Sequence, residues 1–258
     1  MEDELRKDLK RKYERGPNLI GRLVAYLAAA SITAIIPIIG ISYLLLEVIP
    51  TLFKINIPWY IIISFAPVYV VLAKWIFNGA IIVIARLTLR PVEEGEYEMD
   101  MKNKTIRNWS INGVGSSLAL HFIGLQPFGM PGLGTYILKM LGAKMGYGTI
   151  ASFITEPYLV EFGDGTLAGG GTIVSGHAFA GGKMLIGKVK LGKNVTIGAN
   201  SVLFPGVEVG DNSIVATLST VTYKTKIPPN QVWAGNPATQ IGVVTKDGKI
   251  KMLKKEKE

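Results

Sequence analysis

Residues 185–225, which read LIGKVKLGKNVTIGANSVLFPGVEVGDNSIVATLSTVTYKT, repeat one chemical pattern every six residues. The first position of each hexad is aliphatic: Leu185, Leu191, Ile197, Leu203, Val209, Val215 and Val221. The fifth position is small or β-branched: Val189, Val195, Ser201, Val207, Ser213, Ser219 and Thr225. This period fits neither the turn of an α-helix, which takes about 3.6 residues, nor the simple alternation of a β-strand.

A six-residue period is typical of a triangular β-helix, in which each hexad forms one flat side of the coil. The aliphatic residue fills the narrow interior, and the small residue fits beside it beneath the neighbouring coils. The fourth position holds Asn194, Asn200, Gly206 and Asn212, residue types that tolerate the backbone angles of a sharp corner. The sequence therefore predicts a mainly β fold of hexapeptide repeats, with the fourth positions at outward-facing corners.

The same pattern continues upstream in a different register. The first positions there are Phe162, Ala168 and Val174, the fifth positions are Thr166, Thr172 and Ala178, and the fourth positions are Gly165, Gly171 and His177. The next first position should be residue 180, yet the downstream register begins at Leu185, so the five residues AGGKM at 180–184 interrupt the coil. We expect them to form a loop beside an outward-facing His177.

His177 is one of only two histidines in the chain, and it allows two interpretations. An imidazole exchanges a proton near neutral pH, so His177 can serve as a general base in a pocket walled by the loop. Alternatively, His177 is an ordinary solvated corner residue, and the glycine-rich loop only absorbs an insertion. The pattern alone leaves both interpretations open.

The run LGKNVTIGANSVLFPGVEVGDNSIVATLSTVTYKTKIPPNQVWAGNPA, at residues 191–238, strongly resembles the left-handed β-helix acyltransferases built from hexapeptide repeats. Their coils commonly close with a proline-bearing segment such as IPPN followed by AGNPA. The stretches LGAKMGYGTI, ITEPYLVEFGDG and SGHAF resemble more narrowly the membrane-attached acyltransferase-like terminal domains of nonribosomal peptide synthetases. The resemblance covers about residues 138–240 and implies a left-handed parallel β-helix.

The resemblance also implies a catalytic role for His177. In acyltransferases of this fold, a histidine beside an extruded loop deprotonates the acceptor hydroxyl or amine as it attacks the thioester of acetyl-CoA. Glu156 and Glu161 stand where the narrower family often has acidic residues, and either can orient the imidazole. Simple solvation of these two carboxylates is the alternative.

The acyl donor and the assembly likewise follow from the resemblance. Acetyl-CoA is expected along the coil, with its pantetheine arm near Ala199 and Thr217 and its phosphates near Lys224 or Lys226. The order YKTKIPP departs from the threonine–lysine pair that the family often has before its prolines. The family further implies a homotrimer with active sites between neighbouring coils.

The N-terminal third of the chain is apolar enough to suggest a membrane. Residues 23–46 carry no charge, and residues 55–85 carry only Lys74, while a bilayer crossing takes about 20 apolar residues. We therefore predict a two-helix transmembrane hairpin ahead of the β-helix. Basic residues cluster in 6–22 and 86–107, whereas the connection offers only Lys54. The positive-inside rule then gives a multi-pass protein of the cell membrane with both ends and the β-helix in the cytoplasm.

These patterns divide the chain into five parts: a charged segment at 1–16, the hairpin at 17–92, a juxtamembrane connector at 93–140, the β-helix at 141–239 and a basic tail at 240–258. Within them, residues 109–142 are apolar but cut by glycine and proline, so whether they re-enter the membrane is open. Functional roles for His121 and Lys74 are open as well.

Composition excludes several classes of function. The net charge of +9 lies mostly beside the apolar segments and in the tail, where anionic lipid is a simpler partner than nucleic acid. The chain has no cysteine and two histidines, too few ligands for a zinc enzyme such as the carbonic anhydrases of this fold, so we predict no metal.

We therefore predict a membrane-anchored O- or N-acyltransferase. It would move an acetyl or other short acyl group from acetyl-CoA to a hydroxyl or amine of a membrane-associated acceptor. A β-helix can also be a rigid spacer without chemistry. The alternative is therefore a non-catalytic scaffold or trimerisation module at the membrane.

Overall fold

The computed structural model describes residues 19–54, 58, 60, 64, 66–123 and 131–253. Within these limits the chain has a helical N-terminal half and a β-helical C-terminal half. The charged segment predicted at 1–16 and the last five residues of the basic tail lie outside the described residues.

Among the described residues, five α-helices precede the coil. They are α1 (Leu19–Tyr43), which continues through a π-helical turn (Leu44–Val48) into α2 (Ile49–Phe53), and then α3 (Ala66–Leu87), α4 (Lys104–Ile123) and α5 (Pro131–Met140). Helix α1 packs against α3, and α3 packs against α4 and α5. Ile81 of α3, Ala119 of α4 and Ile137 of α5 are buried together where these helices meet.

The transmembrane hairpin predicted over residues 17–92 is not supported. Helices α1 and α3 do form an apolar pair in this region. Among the residues that the structure describes, however, no helix combines the length and the apolarity that crossing a bilayer requires.

An extended segment joins α3 to α4 and carries strand β1 (Gly95–Glu98). Asparagine side chains fix this segment to α4. Asn112 accepts a hydrogen bond from the backbone N–H of Arg90 at 2.9 Å and donates one to its carbonyl at 2.8 Å. Asn103 accepts from the N–H of Thr105 at 2.8 Å and so caps the first turn of α4.

The C-terminal half is a β-helix with three faces. Its strands are β2 (Lys144–Met145), β3 (Phe153–Ile154), β4 (Val160–Phe162), β5 (Leu167–Ala168), β6 (Ile173–Val174), β9 (Val189–Leu191), β10 (Thr196–Ile197), β11 (Val202–Leu203), β12 (Glu208–Val209), β13 (Ile214–Val215), β14 (Thr220–Val221), β15 (Lys226–Ile227) and β16 (Gln231–Gly235). Sheet 1 contains β2, β4, β9, β12 and β15, sheet 2 contains β5, β10, β13 and β16, and sheet 3 contains β3, β6, β11 and β14. Consecutive coils pair in parallel, so each hexad supplies one side of the triangle, as predicted.

The interior follows the six-residue pattern. Among the aliphatic first positions, Leu203 and Val215 have no exposed surface. The small fifth positions Thr166, Ser201 and Ser213 are equally buried, and each hydroxyl donates to a backbone carbonyl of another coil, at 2.6 to 2.9 Å. A buried hydroxyl needs such a partner, so these serine and threonine residues tie one coil to the next.

The corners also agree with the prediction. The fourth positions Asn194, Asn200 and Asn212 have φ values of 54° to 56°, and Gly206 has 73°. Leu218 occupies the same place with φ 58° and is 73% exposed. A leucine in this left-handed conformation is strained, because its Cβ approaches the carbonyl oxygen.

Both ends of the coil are covered. Leu138 of α5 and Leu120 of α4 pack against the first interior residues. At the other end, β16 pairs antiparallel with β17 (Ala238–Val244), which pairs antiparallel with β18 (Ile250–Met252). Both caps shield the apolar interior from water.

The break near His177 is larger than predicted and is ordered. It forms a hairpin of β7 (His177–Ala180) and β8 (Lys183–Ile186), and β8 also pairs with β1. Leu191, not Leu185, lies beside Phe162 in sheet 1, so the coil resumes six residues later than predicted. The pattern gave the wrong residue because Leu185 is buried too, but within the hairpin rather than in the coil.

Candidate active site

His177 is the first residue of β7 and directly follows the turn after β6. His177 does not occupy an outward-facing corner as predicted, because it pairs with Ile186 in the hairpin and its side chain is only 24% exposed. Its backbone φ is not among the positive values that mark the other corners in the described residues. The side chain therefore sits in a partly enclosed position.

Glu156 is the nearest charged partner of His177. Its Oε1 lies 2.6 Å from His177 Nδ1, and the carboxylate is 4% exposed. The two atoms are at ion-pair distance, but the Nδ1 atom does not meet hydrogen-bond angles with any of the described residues. A carboxylate beside Nδ1 favours the proton on that nitrogen, which leaves Nε2 as the atom able to accept a proton.

The other oxygen of Glu156 is held by the polypeptide. Oε2 accepts a hydrogen bond from the Gly176 N–H at 2.9 Å and another from the hydroxyl of Thr155. Thr155 in turn lies 3.2 Å from Ser175 Oγ, which donates to the His177 carbonyl at 2.7 Å. A buried carboxylate is stable only with such partners, and this set fixes both Glu156 and the backbone of His177.

Position 176 has room only for a glycine. A Cβ at this position would lie 2.7 Å from Leu159 Cδ1 and 3.2 Å from Glu156 Oε2. Leu159 belongs to the 3₁₀ turn that follows Glu156. Glycine at 176 therefore lets the strand that carries His177 approach the turn that positions Glu156.

Aromatic rings surround the imidazole. The ring centroid of Trp109 lies 5.0 Å from that of His177, with a tilt of 58°, and that of Phe179 lies 5.7 Å away, nearly edge-on. Tyr158 contacts the Trp109 carbonyl through its hydroxyl at 3.4 Å. Burial, and to a smaller degree the charge of Glu156, raises the pKa of Tyr158 well above its ordinary value. Tyr158 is thus a neutral phenol near this site.

The structure does not bring Glu161 to His177. Glu161 Oε1 instead accepts a hydrogen bond from Lys144 Nζ at 2.9 Å on the outer face of sheet 1. That hydrogen bond, and the charge of Lys144, lower the pKa of Glu161 despite some burial. Glu156 is therefore the only one of the two predicted acids that contacts the imidazole.

The four predicted donor residues lie on different parts of the coil. Ala199 and Thr217 occupy the corner between sheets 2 and 3, where the Leu218 N–H donates to the Ala199 carbonyl at 3.0 Å. Lys224 occupies the corner between sheets 3 and 1, the corner that the hairpin of His177 replaces two coils earlier. Lys226 begins β15 and lies 3.5 Å from Glu208 Oε2.

Some residues of the site were not predicted. Trp109 lies in the apolar segment treated as a connector, and nothing in the sequence indicates that it meets His177. Gly176 could have been noticed, because a glycine directly precedes the only histidine of the repeat region. Among the described residues, no group of three or more histidine, aspartate or glutamate side chains could hold a metal.

Comparison with known proteins agrees with this architecture. Residues 188–222 match the family model described as the hexapeptide repeat of succinyl-transferase. The matched residues lie in the coil of three stacked parallel sheets.

Relatives of the hexapeptide-repeat coil carry acetyltransferase names. YvoF of Bacillus subtilis, an acetyltransferase by assigned name, is 34% identical over 105 residues, which are 41% of this chain and 59% of that protein. Galactoside O-acetyltransferase of Escherichia coli is 37% identical over 95 residues, 34% of this chain and 46% of that protein. The chain thus spans about half the length of these relatives.

A solved structure also matches part of this chain. A hexapeptide-repeat acetyltransferase of Vibrio cholerae, complexed with acetyl-CoA, is 22% identical with a TM-score of 0.38. The match covers 40% of this chain and 61% of that one.

Proposed function

We propose that this protein is an acyltransferase that uses acetyl-CoA and in which His177 is the general base. The observation that carries the proposal is the contact of 2.6 Å between His177 Nδ1 and the buried Glu156. This arrangement orients an imidazole and leaves Nε2 for the acceptor. The acetyltransferase names of the relatives support it.

The reaction needs no group beyond the donor and the acceptor. His177 Nε2 takes the proton of an acceptor hydroxyl or amine while the acceptor oxygen or nitrogen attacks the carbonyl carbon of the thioester. The C–S bond then breaks, and the imidazolium returns the proton to the departing thiolate of CoA. Glu156 stabilises the positive charge that the imidazole carries between the two transfers.

The protein would act at a membrane. Large apolar side chains lie exposed on the α1–α3 pair, among them Ile32, Ile35, Ile36, Ile39, Val68, Val71, Leu72 and Trp75. An exposed apolar surface of this extent is typical of a site that is covered by lipid or by another protein. Together with the basic residues that flank the helices, it supports anchoring to the cell membrane with the coil in the cytoplasm.

Cysteine labelling can test the location, because the chain has no native cysteine. Thr245→Cys should react only with a reagent that reaches the cytoplasm. Lys54→Cys should react from outside if the helix pair crosses the bilayer, and from the cytoplasm if the pair lies on its surface. Labelling of Thr245→Cys from outside would contradict the proposed orientation.

A homotrimer would provide a second wall for the site. The outer side of sheet 3, next to the corner of His177, exposes Phe153 and Ile173. The outer side of sheet 1 differs, because Lys190 and Lys226 both pair with Glu208 there. The apolar sheet 3 is the better contact surface, and the family resemblance supports three copies.

The acceptor would be a hydroxyl or amine on a membrane-associated molecule. A lipid-linked sugar or envelope precursor is the preferred class, and a small amine or a peptidyl substrate is second. The narrower resemblance to the terminal domains of nonribosomal peptide synthetases favours a peptidyl amine. The anchoring helices favour an acceptor that is itself held at the membrane.

Mass spectrometry can test the function. Purified full-length protein is incubated with acetyl-CoA and a bacterial membrane extract, and acetylated products are identified while free CoA thiol is measured. Glu156→Gln should lower transfer by about 10²-fold or more, because the charged orienting group is lost. Glu161→Gln is the matched control and should retain wild-type transfer. Transfer undiminished in both Glu156→Gln and His177→Gln would show that another group is the base, and absence of transfer by the wild type would favour a non-catalytic scaffold.

A further inference from the structure

Two segments that precede the coil hold the hairpin of His177 from outside. Strand β1 pairs antiparallel with β8, with Glu96 opposite Leu185. Glu94 Oε2 accepts a hydrogen bond from the Lys188 N–H at 2.9 Å, just past the hairpin. The hairpin is therefore fixed to residues about 90 positions earlier in the chain.

Helix α4 also packs against the hairpin. Ile106 of α4, Leu159 of the 3₁₀ turn and Met184 and Ile186 of β8 form one buried apolar cluster. Trp109, one helical turn beyond Ile106, packs at its edge. One helix thus contacts both the strand pair that begins with His177 and the turn that begins after Glu156.

Trp109 contacts the imidazole itself. Phe179, the other ring beside His177, is 60% exposed, so it restrains the imidazole less than the half-buried Trp109 does. The Nε1 atom of Trp109 is buried and has no hydrogen-bond partner among the described residues. Such an unpaired donor reduces stability, and a phenylalanine would avoid the loss. Apolar packing alone therefore does not explain a tryptophan here.

We propose that Trp109 is a positioning residue for His177, so that α4 forms part of the active site and does not only connect it to the apolar helices. The inference rests on the proposed acyltransferase function. Glu156 restrains the imidazole at Nδ1, and the indole restrains its rotation from the side of α4. A general base is effective only when its ring is held in line with the acceptor proton.

Kinetics give the first test, with acetyl-CoA as donor, the membrane extract as acceptor source and release of CoA thiol as the readout. Trp109→Leu removes the ring and should lower kcat by about 10- to 100-fold, the loss expected for a misaligned group. The KM for acetyl-CoA should change less than about twofold, because the indole acts on the base rather than on the donor. Trp109→Phe should recover most of the rate. Tyr147→Leu, which removes an exposed ring on the coil away from His177, is the control.

Imidazole NMR gives a second test that needs no activity. The chain has only two histidines, so His177→Gln assigns the His177 signals by their loss. In the wild type, these signals should be displaced by the ring current of Trp109, and in Trp109→Leu they should move toward free imidazole and broaden. Trp109→Phe should retain part of the displacement, which keeps the test valid if the leucine variant folds poorly.

The outcomes separate this inference from the proposed function. One outcome would overturn the role of Trp109 and leave the proposed function intact. In that outcome His177→Gln is inactive, while Trp109→Leu is fully active and its imidazole signals are unchanged. Fully active His177→Gln would overturn the proposed function, and the role of Trp109 in catalysis would fall with it. Loss of rate in Trp109→Leu, recovery in Trp109→Phe and displaced imidazole signals would establish the positioning role.

Discussion

The backbone N–H of Gly176 donates a hydrogen bond at 2.9 Å to Oε2 of Glu156, the carboxylate that contacts the histidine next to this glycine. The same short stretch of chain thus carries the proposed base and helps to hold the group that orients it. Any change that moves residue 176 displaces both partners together. The predictions below begin with this residue.

Gly176→Ala should damage both stability and activity. The new methyl group would meet Leu159 Cδ1 at 2.7 Å and push against Glu156, and overpacking of this kind typically costs about 1 to 3 kcal/mol of unfolding free energy. Gly170→Ala is the matched control, because no atom lies within 4 Å of a Cβ there. Urea unfolding and acetyl transfer measure the two effects. Equal behaviour of the two variants would contradict the tight packing.

The hairpin turn should tolerate asparagine but not valine. Gly181 and Gly182 have φ values of 57° and 75°, which glycine and asparagine adopt and a β-branched residue resists. Gly182→Val should destabilise the hairpin by about 1 to 2 kcal/mol and reduce transfer, while circular dichroism of the coil stays unchanged. Gly182→Asn should behave as wild type. Equal activity of the two variants would show that the hairpin does not shape the site.

Leu218→Asn should stabilise the coil of a single chain. Asparagine accepts the left-handed φ of 58° at this corner better than leucine does, by up to about 1 kcal/mol. If copies of the chain meet near this corner, the same change should weaken the assembly, because Leu218 is 73% exposed in one chain. Thermal unfolding and native mass measurement separate the two effects. Asn200→Leu, on the adjacent coil, should lower stability instead.

The Lys144–Glu161 pair should contribute to stability at neutral pH but not in acid. Its hydrogen bond lowers the pKa of Glu161 from the ordinary 4.5, so the folded state favours the ionised carboxylate. The contribution is present above the ordinary pKa and is lost as the pH falls through the lowered folded value. Lys144→Met should cost about 1 kcal/mol or less at pH 7, because the pair is partly exposed, and progressively less as the pH falls below 4.5.

A control variant makes that comparison specific. Lys193→Met removes an exposed lysine for which no ion pair is recorded among the described residues. Its effect on unfolding free energy should not depend on the ionisation of Glu161. A pH dependence equal to that of Lys144→Met would assign the effect to net charge rather than to the pair.

The sequence predicts the coil well because the repeat is both local and redundant. Ser201 and Ser213 occupy the fifth position of two hexads less than one coil apart, and the same steric limit selects a small residue at each. The sequence predicted Glu156 and Glu161 equally, because a motif shows that a carboxylate is near in the chain but not which way its side chain points. The backbone direction at the 3₁₀ turn is what points Glu156 inward, whereas Glu161 lies on a strand and faces outward.

The hairpin and Trp109 could not be predicted in the same way. The spacing of Leu185 fits the coil as well as the hairpin, because both bury an aliphatic residue at that position. The contact between Trp109 and His177 joins residues far apart in the chain, and no periodic pattern reports such a contact. The bilayer crossing was predicted from apolarity alone, and no helix among the described residues combines the length and apolarity that it requires.

The pairing of β1 with β8 also bears on the order in which the molecule becomes competent. Neighbouring coils pair over short sequence separations, as Ile197 does with Val215, so the solenoid can grow by local steps. Closing β1 onto β8 joins Glu96 to Leu185 across a much longer stretch of chain, and contacts of that span form slowly. On the ribosome, β1 and α4 are synthesised before the hairpin with which they pack. The coil can therefore be complete before the catalytic centre is. A circular permutation that places β1 and α4 after the coil would reverse this order of synthesis.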